Sequence, residues 1–281
     1  MITYRLLTDE DFTSLYDCFL LAFSDYEVDM RMSVEQFRQR LTRDGVSLPM
    51  SAAAFDEERM IGFCINGVGE WQGRQTAYDA GTGVIPGYRG RGVAKELFAF
   101  LERRLKDAGV VQYLLEVLTS NTPAATLYRK LGFADTRRLA VFRPQRATRN
   151  TKRQSEVVDI RTIEKPDWTL FQSFWDGYPS WQNSIAAVER IVNDRRIVGA
   201  YVQRECVGYG VIFLPSLSLM QLAVAPQHRR QHIASTILAA LEIPEHLKIN
   251  NIDERLTSSL EFYEANGYKQ VLNQFEMLKT L

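Results

Sequence analysis

Apolar and polar positions along this chain follow two periods in alternation. Over residues 9–23 the side chains Phe12, Leu15, Tyr16, Phe19, Leu20 and Phe23 recur at three- and four-residue steps, which predicts an amphipathic helix. Thr8 stands where an N-cap belongs, with Asp11 three residues on. A second helix is predicted over 33–41. Residues 51–55 and 60–66 are apolar runs on either side of the polar turn Asp56-Glu57-Glu58-Arg59, the pattern of a hairpin. A long strand over 75–85 carries Gly81 and Gly83, and glycine inside a strand marks a bulge or a close backbone approach. A turn rich in Arg and Gly comes next, then a helix to about residue 107 closed by Gly109. The pattern continues with a strand over 113–118 and a helix over 122–131, with Pro123 in its first turn and Gly132 just past its end. A strand over 133–142 is expected to close the sheet.

The second half repeats the first. Strands are predicted over 157–163, 197–202, 207–214 and 219–225, with helices over 167–175 and 184–192 and another ending near residue 242. Setting Val84 against Val224 matches Pro86 with Pro226, Arg89 with Arg229, Ala94 with Ala234 and Glu102 with Glu242. Two copies of one fold are therefore expected. Between them, residues 143–155 (RPQRATRNTKRQS) hold five basic residues, no acidic ones and almost nothing apolar, the composition of a solvated linker. The expected domains are 1–142 and 157–281, joined by a basic linker over 143–156. The fold class is α/β with a mixed sheet.

Composition narrows the classes. The chain has 281 residues, 46% hydrophobic and 24% charged, which suits a globular protein with real cores. Its formal net charge is zero, so no global field favours nucleic acid or an anionic membrane. Cys18, Cys64 and Cys206 show no paired spacing, which argues against a disulfide framework. His228 and His232 stand four apart with no third ligand spaced to join them, so no metal site is expected. No apolar run reaches transmembrane length and no leader pattern stands at the start, so a cytoplasmic location is expected.

The chemistry concentrates in two places. Arg89-Gly90-Arg91-Gly92-Val93-Ala94 leads from a strand ending at Val84 into a helix. Glycines there let an anion approach the unpaired amides of a helix start, and two arginines add positive charge. The spacing is neither that of a P-loop nor that of the dinucleotide fingerprint. The second place is Glu116, within the apolar run Leu114-Leu115-Glu116-Val117-Leu118, with Tyr128 twelve residues on. A partly buried carboxylate rises in pKa towards the range of a general base, although strand alternation alone also turns such a residue to solvent. A Tyr at this helical position is a core or rim aromatic, or a proton donor.

Together, R-x-x-G-x-A and L-E-V…N-x-x-A-A-x-L-Y-x-x-x-G-F resemble the GNAT acetyltransferases, especially those that acetylate protein N-terminal amines. The resemblance covers 1–142 well and 157–281 more weakly. It implies two tandem domains, each a mostly antiparallel twisted sheet with splayed central strands flanked by helices. It implies an acetyl-CoA-dependent N-acetyltransferase working by direct attack of a primary amine on a small molecule, peptide or protein N-terminus. Glu116 would be the base and Tyr128 the acid. Val84, Arg89, Gly90, Arg91, Gly92, Val93, Ala94 and Asn121 would hold the CoA. No nucleic acid, membrane or metal is implied, and the protein would be a monomer or homodimer. The alternative is a CoA-sensing binding protein without transferase activity.

The second copy departs from this pattern. Gly90 becomes Arg230, Gly92 becomes His232, and twelve residues before Tyr263 stands Asn251. The second copy is therefore expected to be degenerate and non-catalytic. Trp168, Trp175, Tyr178 and Trp181 crowd one segment, as a core or as a substrate-facing surface, and Asp25, Glu27 and Asp29 stand where they could attract a cationic amine.

Overall fold

The structure is a computed structural model describing residues 1–145, 155, 158–241 and 247–281. The expected linker over 143–156 and the helix end near residue 242 lie largely outside these. The chain divides into two compact units, Met1–Thr136 with Phe275–Leu281, and Arg137–Gln274.

In the first unit the elements follow the periodicity closely. They are β1 (Ile2–Leu6), α1 (Phe12–Ala22), α2 (Val34–Asp44), β2 (Ala52–Asp56), β3 (Arg59–Trp71), β4 (Arg74–Val84), α3 (Val93–Asp107), β5 (Gln112–Leu118) and α4 (Thr122–Lys130). Thr8 and Asp11 form the expected capping contact, the Thr8 amide donating to Asp11 Oδ2 at 2.9 Å. Strands β1 to β4 pair antiparallel in sequence order and β5 joins β4 in parallel. The apolar stripe of α1 buries Leu15 and Phe19, and Phe19 meets Phe37 of α2 and Phe63 of β3. Each such ring contributes about 1.5–3 kcal/mol by leaving water.

The strand expected to close this sheet does something else. β6 (Ala134–Pro144) begins in the first unit and passes into the second at Arg137. There Leu139, Ala140 and Phe142 pair with Asp253, Ile252 and Ile249, and Ala140 and Phe142 join the second core. The first sheet is completed beside β5 by the chain's last residues, at the end of β12 (Tyr268–Thr280). Met277 is fully buried, the Leu281 amide donates to the Val111 carbonyl at 3.0 Å, and Lys279 pairs with Glu102 at 2.6 Å. The linear cut at residue 142 is thus replaced by an exchange of strand ends. Alternation sets which face of a strand is buried, not which strand lies beside it.

The second unit holds β7 (Asp159–Thr162), α5 (Trp168–Gln172), α6 (Ile185–Arg190), β8 (Arg195–Val202), β9 (Glu205–Phe213), β10 (Ser218–Val224), α7 (Ile233–Ala240), β11 (Lys248–Asp253) and α8 (Thr257–Ala265). Its strands run in the order β6-β11-β10-β9-β8-β7. This repeats the helix-flanked mixed sheet of the first unit, including one parallel pair, β10 with β11.

Candidate active site

Two irregularities in β4 open the site. The register with β3 passes from Ile65↔Gly81 to Asn66↔Asp79, which leaves Ala80 as a bulge. The parallel pairing with β5 begins at Thr76↔Gln112 and ends at Asp79↔Leu115, although β4 runs on to Val84 and β5 to Leu118. Beyond that point the two strands part, and Glu116 is the first residue of β5 past the fork. The bulge is held from both sides. Asp79 Oδ1 accepts from the Gly81 amide at 3.0 Å, and Arg40 of α2 donates to the Ala80 carbonyl at 3.1 Å. Gly83 answers the second reason for a strand glycine, since a Cβ there would stand 2.8 Å from the Phe63 ring and 2.9 Å from the Ala22 methyl.

At the far end of β4, the Arg/Gly turn leads into α3. Gly90 and Gly92 both lie in the left-handed region, at φ +75° and +83°, and a Cβ on either would enter open space. Gly92 caps α3, so Val93 and Ala94 present the first amides of a fifteen-residue helix. Arg91 lies over the Tyr88 ring at 5.0 Å. Arg89 is turned away from this cradle. Its Nε donates to the Val84 carbonyl at 3.0 Å, and its two terminal nitrogens reach Asp25 at 2.7 and 2.8 Å and the Ala22 carbonyl at 2.8 Å. The sequence assigned Arg89 to an anion, whereas its geometry is that of a latch fixing the turn to the end of α1.

At the fork, Glu116 Oε2 accepts from Tyr78 at 3.2 Å. Burial, then the Glu116 charge, pushes the Tyr78 phenol well above its ordinary range. Arg43 of α2 also feels the Glu116 charge and binds the fully buried Asp44 at 2.8 Å. Tyr128 of α4 is 8% exposed, against Phe98 and Phe133. Burial, followed by the nearby Asp79 charge, lifts its pKa well above the ordinary tyrosine value. A phenol so placed stays protonated until a strong base reaches it. Asn121 caps α4, accepting from the Ala124 amide at 3.2 Å.

Sequence reasoning missed Tyr78 and Asp79. For Asp79 the signal was the one that found Glu116, an acid within an apolar strand. Asp25, Glu27 and Asp29 are all engaged, with Arg89, Ser120 and Arg31 respectively. Among the described residues no His, Cys, Asp and Glu group is arranged to hold a metal ion. No described helix is long and apolar enough to cross a membrane.

The second unit copies the frame without the carboxylates. β10 carries the same bulge, between Leu219 and Gln221, and it parts from β11 after Leu219↔Ile249. Arg229 repeats the latch, with Val224 O at 3.0 Å, Asp176 at 2.9 Å and Phe174 O at 2.9 Å. Arg230 and His232 adopt the same left-handed backbone as Gly90 and Gly92, at φ +62° and +61°. His228 and His232 flank this turn and do not share a helical face. Matched through the bulge, Leu219 takes the place of Asp79. A cavity of about 770 Å³ opens here, lined in part by Trp175, Tyr178, Leu222, His232, Asn251 and Tyr263. Of the crowded aromatics, then, Trp175 and Tyr178 face the cavity, while Trp181 is core at 2% exposure.

Two family models match the chain, an acetyltransferase (GNAT) family over residues 11–133 and an acetyltransferase (GNAT) domain over 193–270. The chain belongs to the GNAT acetyltransferase family. The copies matched are the two units just described, so the GNAT architecture is tandem. Among curated relatives, N-alpha-acetyltransferase MAK3 of Arabidopsis thaliana is 34% identical over 86 residues, 31% of this chain and 45% of that protein. Streptothricin acetyltransferase of Streptomyces lavendulae is 33% identical over 75 residues, 27% of this chain and 39% of that protein. The chain therefore spans less than half the length of the curated relatives it matches. In fold it is similar to a tandem GNAT protein from the clavulanic acid biosynthesis pathway, with TM-score 0.77 and 15% identity over 100% of this chain and 98% of that one. A GCN5-related N-acetyltransferase from Sphaerobacter thermophilus gives TM-score 0.75 and 14% identity over 99% and 95%.

Proposed function

We propose that this tandem GNAT protein is an acetyl-CoA-dependent N-acetyltransferase acting on a primary amine, with its reacting centre in the first unit. The observation that carries this reading is the fork. β4 and β5 part at Asp79 and Leu115, Glu116 is the first residue of β5 past that point, and the buried Tyr128 of α4 is near enough to feel the Asp79 charge. The turn at the end of β4 fits the pyrophosphate, because two glycines at positive φ leave open space beside helix-start amides.

Gly90, Arg91, Gly92, Val93 and Ala94 would hold the phosphates, with Arg89 latching their turn in place. Val84 and Asn121 would flank the pantetheine arm between the parted strands. Bound acetyl-CoA supplies an activated acetyl thioester. Glu116 takes the proton that the acceptor amine must lose before it attacks. A backbone amide near Val84 stabilises the developing oxyanion. Tyr128 donates its phenolic proton to the sulfur as it leaves. Amines on small molecules and on peptides both suit this chemistry, and the matched relatives are named as an N-alpha-acetyltransferase and a streptothricin acetyltransferase.

The test pairs calorimetric titration of acetyl-CoA with thiol release over a panel of peptide, aminoglycoside and polyamine amines. Binding together with turnover of at least one amine supports the transferase. Tight binding with no turnover across the panel supports instead a CoA-sensing protein. The cavity in the second unit favours a second reading, in which that copy also takes a ligand. Loss of a second calorimetric binding event in Tyr263→Trp, with the first event kept, would support it.

A further inference from the structure

The second unit departs from the first at the places proposed to hold CoA, and what stands there does not fit that group. At residues 90 and 92 a Cβ would enter open space, whereas the same left-handed backbone at 230 and 232 carries an arginine and a histidine. Their side chains take up the room that a pyrophosphate needs beside the first amides of α7. Residues with a Cβ adopt that backbone only at a cost, and two so close together call for a reason. Asn251, in the place of Glu116, is neutral and already accepts from Gln274 at 2.6 Å.

What remains is a cavity of about 770 Å³ with one charged end. His228, Arg230 and His232 line it where α7 begins, and their side chains make no hydrogen bond or ion pair among the described residues. Two of the acids in the wall are paired, Asp176 with Arg229 at 2.9 Å and Asp253 with Arg255 at 2.6 Å. The third, Glu261, is exposed to water on α8.

The body of the cavity is aromatic and held in place. Trp175 Nε1 donates to the Tyr209 hydroxyl at 2.6 Å, that hydroxyl donates to Gln221 at 2.7 Å, and Gln221 donates to the Asn183 carbonyl at 2.7 Å. The polar atoms of those two rings are thereby satisfied within the wall. Tyr263 differs. It is 4% exposed, its ring packs on Phe142 at 5.6 Å, and it lines the cavity. Yet its hydroxyl has no hydrogen-bond partner among the described residues. A buried hydroxyl without a partner is rare, and at a cavity wall it points to an atom of a ligand.

We infer that this cavity binds an aryl carboxylate, with the acid group on Arg230 between His228 and His232, the ring among Trp175, Tyr178 and Phe262, and a polar atom on Tyr263. The inference rests on the second reading above, that this copy takes a ligand, and names that ligand as something other than acetyl-CoA. One planar acid group fits because one guanidinium is open to it. Arg229 is already engaged by Asp176 and the carbonyls of Val224 and Phe174. The wall offers rings both faces and edges, and Trp175 and Tyr178 already meet edge-on at 6.4 Å.

The experiment is calorimetric titration of the full chain with naphthoate, with the neutral naphthalenemethanol, and with acetyl-CoA. Naphthoate is expected to bind at one site per chain, about tenfold more tightly than the alcohol, and equally well when acetyl-CoA saturates the first unit. Arg230→Gly supplies the residue that this backbone favours, so the variant folds. It is expected to lower naphthoate affinity about tenfold and to leave acetyl-CoA binding to the first unit unchanged. Tyr263→Phe lowers naphthoate affinity several-fold. Equal affinity for acid and alcohol, or for wild type and Arg230→Gly, overturns the proposal. A second acetyl-CoA binding event that disappears in Tyr263→Trp overturns it too, while keeping the reading on which it rests. No binding of naphthoate, of the alcohol or of a second acetyl-CoA overturns both.

Discussion

Arg89 grips Asp25 with both terminal nitrogens, at 2.7 and 2.8 Å, across 64 residues of chain. At this exposed pair Asp25 is held below its ordinary carboxylate range first by its hydrogen bonds to Arg89. The latch repeats as Arg229 and Asp176 in the second unit, so it belongs to the fold's frame rather than to a ligand of one copy. Its effect on binding is then indirect, through the position of the turn.

Removing either half of the latch has the same consequence. Arg89→Ala and Asp25→Ala are both expected to weaken acetyl-CoA binding several-fold by calorimetry. Arg89→Lys rescues little, because an ammonium cannot span Val84, Ala22 and Asp25 together. Normal binding in Asp25→Ala beside lost binding in Arg89→Ala would show that Arg89 meets the phosphate directly.

Gly90→Ala and Gly92→Ala separate strain from binding. Each places a Cβ at positive φ, at a cost of about 1–2 kcal/mol in urea denaturation. Arg230 and His232 tolerate that backbone, so both variants fold. The added methyls project into the space proposed for the pyrophosphate, and acetyl-CoA affinity drops more than stability does. Undiminished affinity in both would remove the turn from the binding site.

Asp79 also sets a pH dependence of stability. Its folded pKa, about 7, lies above its ordinary 3.8, so the folded state binds the extra proton. The sign follows directly: the stability linked to the neutral form is complete below about pH 4 and is lost as pH rises through 7. The cost above neutrality reaches up to about 4 kcal/mol. Asp79→Asn does not bear it, so its urea midpoint relative to wild type should climb between pH 5 and pH 8. A constant offset between the two proteins across that range contradicts the burial of this charge.

Much of this was legible in the chain. The helical steps of Phe12, Leu15 and Phe19, and the glycines at 90 and 92, report local backbone needs, and local needs leave local marks. Glu116 and Tyr128 stood out because strand, N-cap and helix follow one another directly. Asp79 was passed over because its meaning depends on the bulge at Ala80 and on the parting from β5 at Leu115, 36 positions on. The exchange of β6 and β12 was invisible for a related reason. The apolar alternation of Leu139 to Phe142 suits either sheet, and only the open edge of β5 and the buried Met277 decide between them. For Arg89 the chain left two partners open, because an arginine beside a glycine-rich turn suits an anion as well as Asp25.

The central claim is that Glu116 and Tyr128 carry the chemistry at the fork of β4 and β5. The most direct measurement is single-turnover thiol release by Glu116→Gln and Tyr128→Phe, with acetyl-CoA affinity determined calorimetrically on the same samples. Affinity should stay within a few-fold of wild type, while the rate falls by about 10²-fold for each variant. Wild-type rates in both variants, at unchanged affinity, would contradict the account.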